Sequence, residues 1–207
     1  VKAWFLINGI LTFPGSSKNW TGRGVTWLNT RTEAKAEKIE YLCGPIGRAL
    51  GQMDRAYKLW HTLSYYDGDD NYVVGHSNGA DVIISMLRDF PLCPKIRELH
   101  LVCGASESDF NRNGLNRLLG TGKIGRVIVY VAKKDEALRL AHTWLGHILG
   151  YGTLGLDGPT SVLPSVESSV KTIEWPDYGH SDCWHDDNFE ATMRQITATP
   201  SMPSPPL

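Results

Sequence analysis

Six short apolar runs constrain this 207-residue chain more than any other feature of it. The first, Val1–Asn8 ("VKAWFLIN"), is nearly unbroken, and a strand that is apolar on both faces must be covered on both. The others are Ile39–Cys43 ("IEYLC"), Tyr72–His76, Glu98–Cys103 ("ELHLVC"), Val127–Ala132 ("VIVYVA") and Val170–Trp175 ("VKTIEW"). Helical spacing fills the gaps. Leu50, Met53, Tyr57 and Trp60 mark one apolar face, and Ile83, Met86, Leu87 and Phe90 another. A third helix is expected over Glu136–Leu149. A closing one carries Phe189, Met193 and Ile196, with Asp186, Asp187 and Asn188 available to cap it. Strands alternating with helices predict an α/β domain over residues 1–198, with about six mainly parallel strands and helices on both faces. Residues 199–207 ("TPSMPSPPL") form a Pro/Ser-rich tail expected to be disordered. In such sheets, active residues gather beyond the carboxyl ends of the strands.

One such strand end stands out. "VVGHSNGADVII", Val73 to Ile84, joins the third apolar run to a helical pattern through a single tight turn. Ser77 sits at its centre, with Gly75 and Gly79 two residues away on either side. The pattern G-x-S-x-G is short and recurs by chance; its place between strand and helix gives it weight. A turn this tight strains the serine backbone, and small neighbours let the adjoining segments approach. The helix starting beside Ser77 adds its dipole and free N–H groups, which stabilise developing negative charge. The alternative is a glycine-rich turn with an incidental serine. A serine hydroxyl attacks only when a base takes its proton and a third group orients that base. The two readings therefore differ in what they require downstream.

Strand–"GHSNG"–helix in an alternating chain resembles the α/β-hydrolase family, whose catalytic partners follow in the order serine, acid, histidine. The resemblance runs from Val1 to about Ile196 and is to compact, lipase- or esterase-like members, with the family's first two strands missing. It implies one three-layer α/β-hydrolase-like domain. The short segment Gly104 to Gly125, 22 residues, lies between the fourth and fifth runs, where the family often inserts a cap, so no large cap domain is expected. In "VIVYVAKKDEAL", Asp135 falls at the family's acid position, just past a strand. In "VKTIEWPDYGHSDCW", His180 falls at the base position, and the glycine before it and the aspartate two residues after it match a common form of that loop. The competing reading of Asp135 is an ordinary helix N-cap for Glu136 onward. Glu136 and Asp109 are the competing acids. Among the other histidines, His76 reads as structural, while His61 and His100 fall inside a helix and a strand.

An oxyanion hole needs two backbone N–H groups. One is expected from Asn78, after the nucleophile. The other is expected from Ile10 in "INGIL", where the family often has His-Gly and this chain has Asn8-Gly9. Asn-Gly between apolar runs is also a hairpin signal, which is the competing reading. The apolar, glycine-rich segment His142–Pro159 reads either as an acyl-pocket wall or small flap, or as a buried helix and loop.

Other features exclude or narrow. A net charge of −1, with lysines and arginines spread along the chain, argues against a nucleic-acid partner or a polybasic membrane surface. No apolar stretch approaches membrane-spanning length, and no signal peptide opens the chain. A cytoplasmic location is expected; the start without methionine keeps export open. Cys43, Cys93, Cys103 and Cys183 lack a CxxC pair and read as free thiols. "NWT" at Asn19–Thr21 matches a glycosylation sequon, meaningful only in a secreted eukaryotic protein. "GTGKIG" (Gly120–Gly125) precedes a strand instead of following one, so it is no dinucleotide site. His180, Cys183, His185 and Asp187 have metal-like spacing, but one loop seldom supplies tetrahedral geometry; no metal or cofactor is expected. The expectation is a serine hydrolase acting on a small-molecule carboxylic ester through Ser77, His180 and Asp135, with Ile10 and Asn78 holding the oxyanion. The alternatives are a hydrolase-fold protein that binds a ligand or partner without turnover, and an acyltransferase using the same groups.

Overall fold

The computed structural model describes residues 1–10, 19–41, 51–66, 70–144 and 152–198. Among these residues six strands form one sheet: β1 (Lys2–Ile7), β2 (Lys35–Ile39), β3 (Asp70–His76), β4 (Ile96–Val102), β5 (Ile124–Ala132) and β6 (Val170–Trp175). Their spatial order is β2-β1-β3-β4-β5-β6, and every pairing is parallel. Parallel neighbours require crossovers, and helices supply them. Among the described residues the helices are α1 (Trp20–Arg31), α2 (Gln52–Ser64), α3 (Asn78–Asp89), α4 (Leu115–Gly120), α5 (Glu136–Trp144), α6 (Leu154–Asp157) and α7 (Asp186–Thr197).

Side-chain alternation along the strands splits the core into two layers. Phe5, Ile7, Val73, Leu99, Leu101, Val127, Val129 and Val131 face Leu59 and Leu63 of α2, Ile83 and Met86 of α3, and Leu154 of α6. Trp4, Leu6, Tyr72, Val74, Ile128 and Tyr130 face Trp20 and Leu28 of α1 and Phe189, Met193 and Ile196 of α7. This is the α/β sheet covered on both faces that the apolar runs call for. No helix among the described residues is long and apolar enough to cross a membrane.

The second strand lies elsewhere than the sequence suggests. It is Lys35–Ile39, not Ile39–Cys43, and only Ile39 is shared. As an edge strand it pairs among the described residues with β1 alone, so most of its residues meet water and "KAEKI" lacks an apolar run. Glu40 and Tyr41 have already left the sheet; Cys43 lies outside the described residues. Helix α1 was not anticipated. Its sequence carries two glycines and three threonines, all poor helix formers. Its buried positions Trp20, Gly24 and Leu28 are four apart, and a Cβ on Gly24 would sit 2.5 Å from a methyl of Leu6, so the glycine lets the helix lie close on the sheet. Asn19 caps this helix, its side chain accepting from the Thr21 N–H at 3.2 Å while its amide donates to Glu40 at 2.7 Å. At 4% exposure it is a capping residue, not an exposed sequon.

Leu50 of the expected second helix, residues 145–151 of the expected third helix and flap, and the 199–207 tail lie outside the described residues. The rest of that flap segment is partly packed in: Leu154 is fully buried, and a Cβ on Gly155 would fall within 2.4 Å of the Cys103 backbone.

Candidate active site

β3 ends at His76, and the chain turns into α3 within one residue. That residue is Ser77, at φ 55° and ψ −123°, a region that non-glycine residues seldom occupy. The strain persists because the surroundings leave no alternative. The Ser77 N–H donates to the Val102 carbonyl at 3.0 Å, and the Ser77 carbonyl accepts from Ala80 at 3.1 Å and Ala105 at 3.0 Å. A Cβ on Gly75 would sit 2.5 Å from an Ile83 methyl and 2.9 Å from the Ala80 nitrogen. One on Gly79 would sit 2.6 Å and 2.8 Å from the Ile7 and Asn8 carbonyl oxygens. Both flanking glycines are thus dictated by contact with neighbouring chain.

Asp135 follows β5 and is fully buried. Its two oxygens face different partners. Oδ1 accepts the Leu138 N–H at 2.8 Å, capping α5; Oδ2 lies 2.7 Å from His180 Nδ1. The other ring nitrogen, Nε2, lies 2.9 Å from Ser77 Oγ. Residues 45 and 103 positions from His180 therefore meet it in one continuous hydrogen-bonded line at the carboxyl edge of the sheet. A buried carboxylate at Nδ1 fixes the proton there, which leaves the Nε2 lone pair facing the hydroxyl.

The His180 loop is tied down from three sides. Gly179 N–H donates to Asp182 Oδ2 at 2.7 Å, and Lys134 N–H donates to the Tyr178 carbonyl at 3.1 Å, joining this loop to the one bearing Asp135. The third tie is His76, whose Nε2–H donates to the His180 carbonyl at 2.8 Å. Burial, with His180 beside it, lowers the His76 pKa from 6.5 to about 3, so this ring stays neutral. Trp184 packs edge-on against it and stacks on Trp20 at 4.0 Å. His76 was expected to be structural; its contact is with the loop that carries His180.

The competing acids point elsewhere. Asp109 accepts from the N–H groups of Asn111 at 2.8 Å and Arg112 at 3.2 Å, which hold its pKa below the ordinary carboxylate value. Glu136 is exposed in the first turn of α5. The metal-like quartet does not converge: Cys183 is buried in the core, while His185 is largely exposed beside Asp182. Among the described residues no group of three or more His, Cys, Asp or Glu is placed to hold a metal ion. Cys93, Cys103 and Cys183 carry free thiols; a hydrogen bond with Cys183 and burial push the Cys103 pKa well up, which disfavours a thiolate there.

Asn8-Gly9 continues from β1 across the face of Ser77, and among the described residues β1 pairs in parallel with β2 on one side and β3 on the other. A Cβ on Gly9 would lie 2.8 Å from Ser77 Cβ. Asn78, as the first residue of α3, has an N–H without an intrahelical acceptor. Among the described residues the Ile10 N–H makes no backbone hydrogen bond. Ile10 also joins Ala105, Leu138, Ala141 and Leu156 in a small apolar cluster at this edge. Tyr41 stood unnoticed inside the misplaced second strand. Its hydroxyl donates to the Asn8 carbonyl at 2.7 Å and accepts from Asn78 Nδ2 at 3.2 Å.

No protein-family model matches the sequence, and a search of curated proteins finds no match. Solved structures do match. A lipase-esterase related protein from Clostridium acetobutylicum aligns over 95% of this chain and 93% of its own, with TM-score 0.55 and 10% identity. A structure of the metagenome-derived lipolytic enzymes LipS and LipT aligns over 95% and 92%, with TM-score 0.55 and 10% identity. Est1E from Butyrivibrio proteoclasticus aligns over 95% and 85%, with TM-score 0.52 and 12% identity. At such identities the likeness is one of architecture: the chain has the α/β-hydrolase fold.

Proposed function

We propose that this protein is a serine hydrolase that cleaves carboxylic esters through an acyl-enzyme intermediate. One observation carries the reading: Ser77 Oγ, the His180 ring and the Asp135 carboxylate lie in line at 2.9 and 2.7 Å, on a serine held at φ 55°. Ser77 attacks the acyl carbon while His180 Nε2 takes its proton. Asp135 keeps the ring in the accepting tautomer and stabilises the imidazolium that forms. The N–H groups of Asn78 and Ile10 receive the oxyanion, aided by the N-terminus of α3. The imidazolium then gives its proton to the leaving alcohol. Water, deprotonated by the same ring, attacks the acyl-enzyme and releases the acid. The ester substrate class is favoured by the lipolytic and esterase neighbours, and by the apolar cluster of Ala105, Ile10, Leu138, Ala141 and Leu156, whose Ala105 N–H donates to the Ser77 carbonyl.

The test is turnover of p-nitrophenyl acetate by the wild type and by Ser77→Ala. Ser77→Ala is expected to lower kcat by about 10⁴-fold or more with folding unchanged. Wild-type turnover no faster than the uncatalysed rate, or full activity in Ser77→Ala, contradicts the reading.

A further inference from the structure

We propose that Tyr41 is a positioning residue that holds the oxyanion-binding backbone in place, an inference that rests on the serine-hydrolase reading above. Tyr41 lies two residues beyond β2 and touches neither the serine nor its base by any hydrogen bond among the described residues. Yet it bonds to both segments that carry the oxyanion donors. Asn8 is gripped twice: its carbonyl accepts from the Tyr41 hydroxyl at 2.7 Å, and its side-chain amide donates to the Tyr41 carbonyl at 3.2 Å. The same hydroxyl accepts from Asn78 Nδ2 at 3.2 Å. A phenol donates once and accepts as well, so a single oxygen spans two residues that lie 33 and 37 positions away.

The consequence follows from peptide planarity. With the Asn8 carbonyl aimed at Tyr41, the Gly9 N–H of the same trans peptide must point the opposite way. That fixes the entry angle of the Gly9–Ile10 unit, at a glycine that otherwise turns freely and packs directly against Ser77. On the other side, the amide of Asn78 is held at the first residue of α3, where its own N–H is the second donor. The Tyr41 ring is itself fixed by the Arg55 guanidinium, 5.1 Å from its centre, and Arg55 is 9% exposed. A tyrosine needed only for packing requires the ring. The two-sided hydroxyl is what a site requires when it must hold two donors at a set separation before charge develops.

Tyr41→Phe keeps the ring and its Arg55 contact and removes only the shared hydroxyl. With p-nitrophenyl acetate it is expected to lower kcat about 10- to 50-fold, less than loss of a direct donor, with KM within about threefold. Phosphonylation of Ser77 by a fluorophosphonate should slow in step with kcat, with His180 and Asp135 untouched. Asn78→Ala, which removes the other end of the bridge and keeps the backbone N–H, should act in the same direction. The double variant should lose less than the product of the two single losses. The inference is overturned if Tyr41→Phe keeps kcat within about twofold, if only KM rises, or if the losses multiply. Should Tyr41→Phe fail to fold, Asn78→Ala decides: full kcat there overturns the inference. Failure of the underlying reading looks different, since the wild type itself would then neither react with the probe nor turn over ester.

Discussion

Replacing Asp135 by asparagine separates two jobs that one carboxylate performs. Oδ1 caps α5 through the Leu138 N–H at 2.8 Å, and Oδ2 sets the proton on His180 Nδ1 at 2.7 Å. An asparagine has one acceptor for these two donors. If its oxygen stays on Leu138, its NH₂ faces Nδ1 and the ring adopts the opposite tautomer. Nε2 then carries the proton and meets Ser77 Oγ as a donor, so it takes no proton from the serine. If the amide turns over, its NH₂ confronts the Leu138 N–H and the cap is lost, at about 1 kcal/mol. The first arrangement is the cheaper in a buried site. Turnover should therefore fall by about 10⁴-fold, equivalent to about 5.5 kcal/mol of barrier, with stability changed by about 1 kcal/mol or less. Initial rates with p-nitrophenyl acetate give the first quantity and denaturant unfolding the second. Asp109→Asn should be mild, because that carboxylate turns to the N–H groups of Asn111 and Arg112. A variant Asp135→Asn that retains a tenth of wild-type kcat, or an Asp109→Asn loss that exceeds it, refutes the assignment.

Gly79→Ala should abolish activity and cost about 1–3 kcal/mol, since its methyl would meet the Ile7 and Asn8 carbonyls at 2.6 and 2.8 Å; unfolding curves that superimpose on wild type would count against the packing argument. His76 titrates near 6.5 when unfolded and at about 3 when folded, so between these values only the unfolded chain binds the proton. Its contribution is complete above pH ~6.5 and drains away toward pH ~3, at about 1.4 kcal/mol per pH unit and about 4–5 kcal/mol in all. His76→Gln, which keeps an N–H for the His180 carbonyl, should flatten that acid loss in urea titrations; parallel curves for variant and wild type would contradict it. A chelator should leave ester turnover intact, whereas loss that zinc restores would make His180, Cys183 and His185 a metal site after all.

What was legible in the sequence followed burial. Runs such as "VIVYVA" lie between two layers and must be apolar at every position, so their strands were found to within a few residues. β2 was not, because an edge strand has one partner and little to bury; the more apolar "IEYLC" drew the assignment past its true end at Ile39. Helix α1 was missed for the opposite reason. Gly24 is there because Leu6 leaves no room for a side chain, and tertiary contact overrides poor helix propensity. At the site, Ser77, Asp135 and His180 could be placed because each follows a readable strand. The supporting contacts of Tyr41, His76 and Asp182 depend on how separate loops meet in space, and no local pattern announces that. Asp135 was read as either a cap or an acid, and the structure shows one carboxylate facing both partners.

The central claim is that Ser77 is a nucleophile activated by His180. Intact-mass measurement after incubation with a fluorophosphonate, followed by peptide mapping, tests it without any assumption about the natural substrate. One adduct per chain is expected, on the peptide containing Ser77, and none in Ser77→Ala or in the acid-denatured wild type. No adduct on the folded wild type, or an adduct that persists in Ser77→Ala, would contradict the claim.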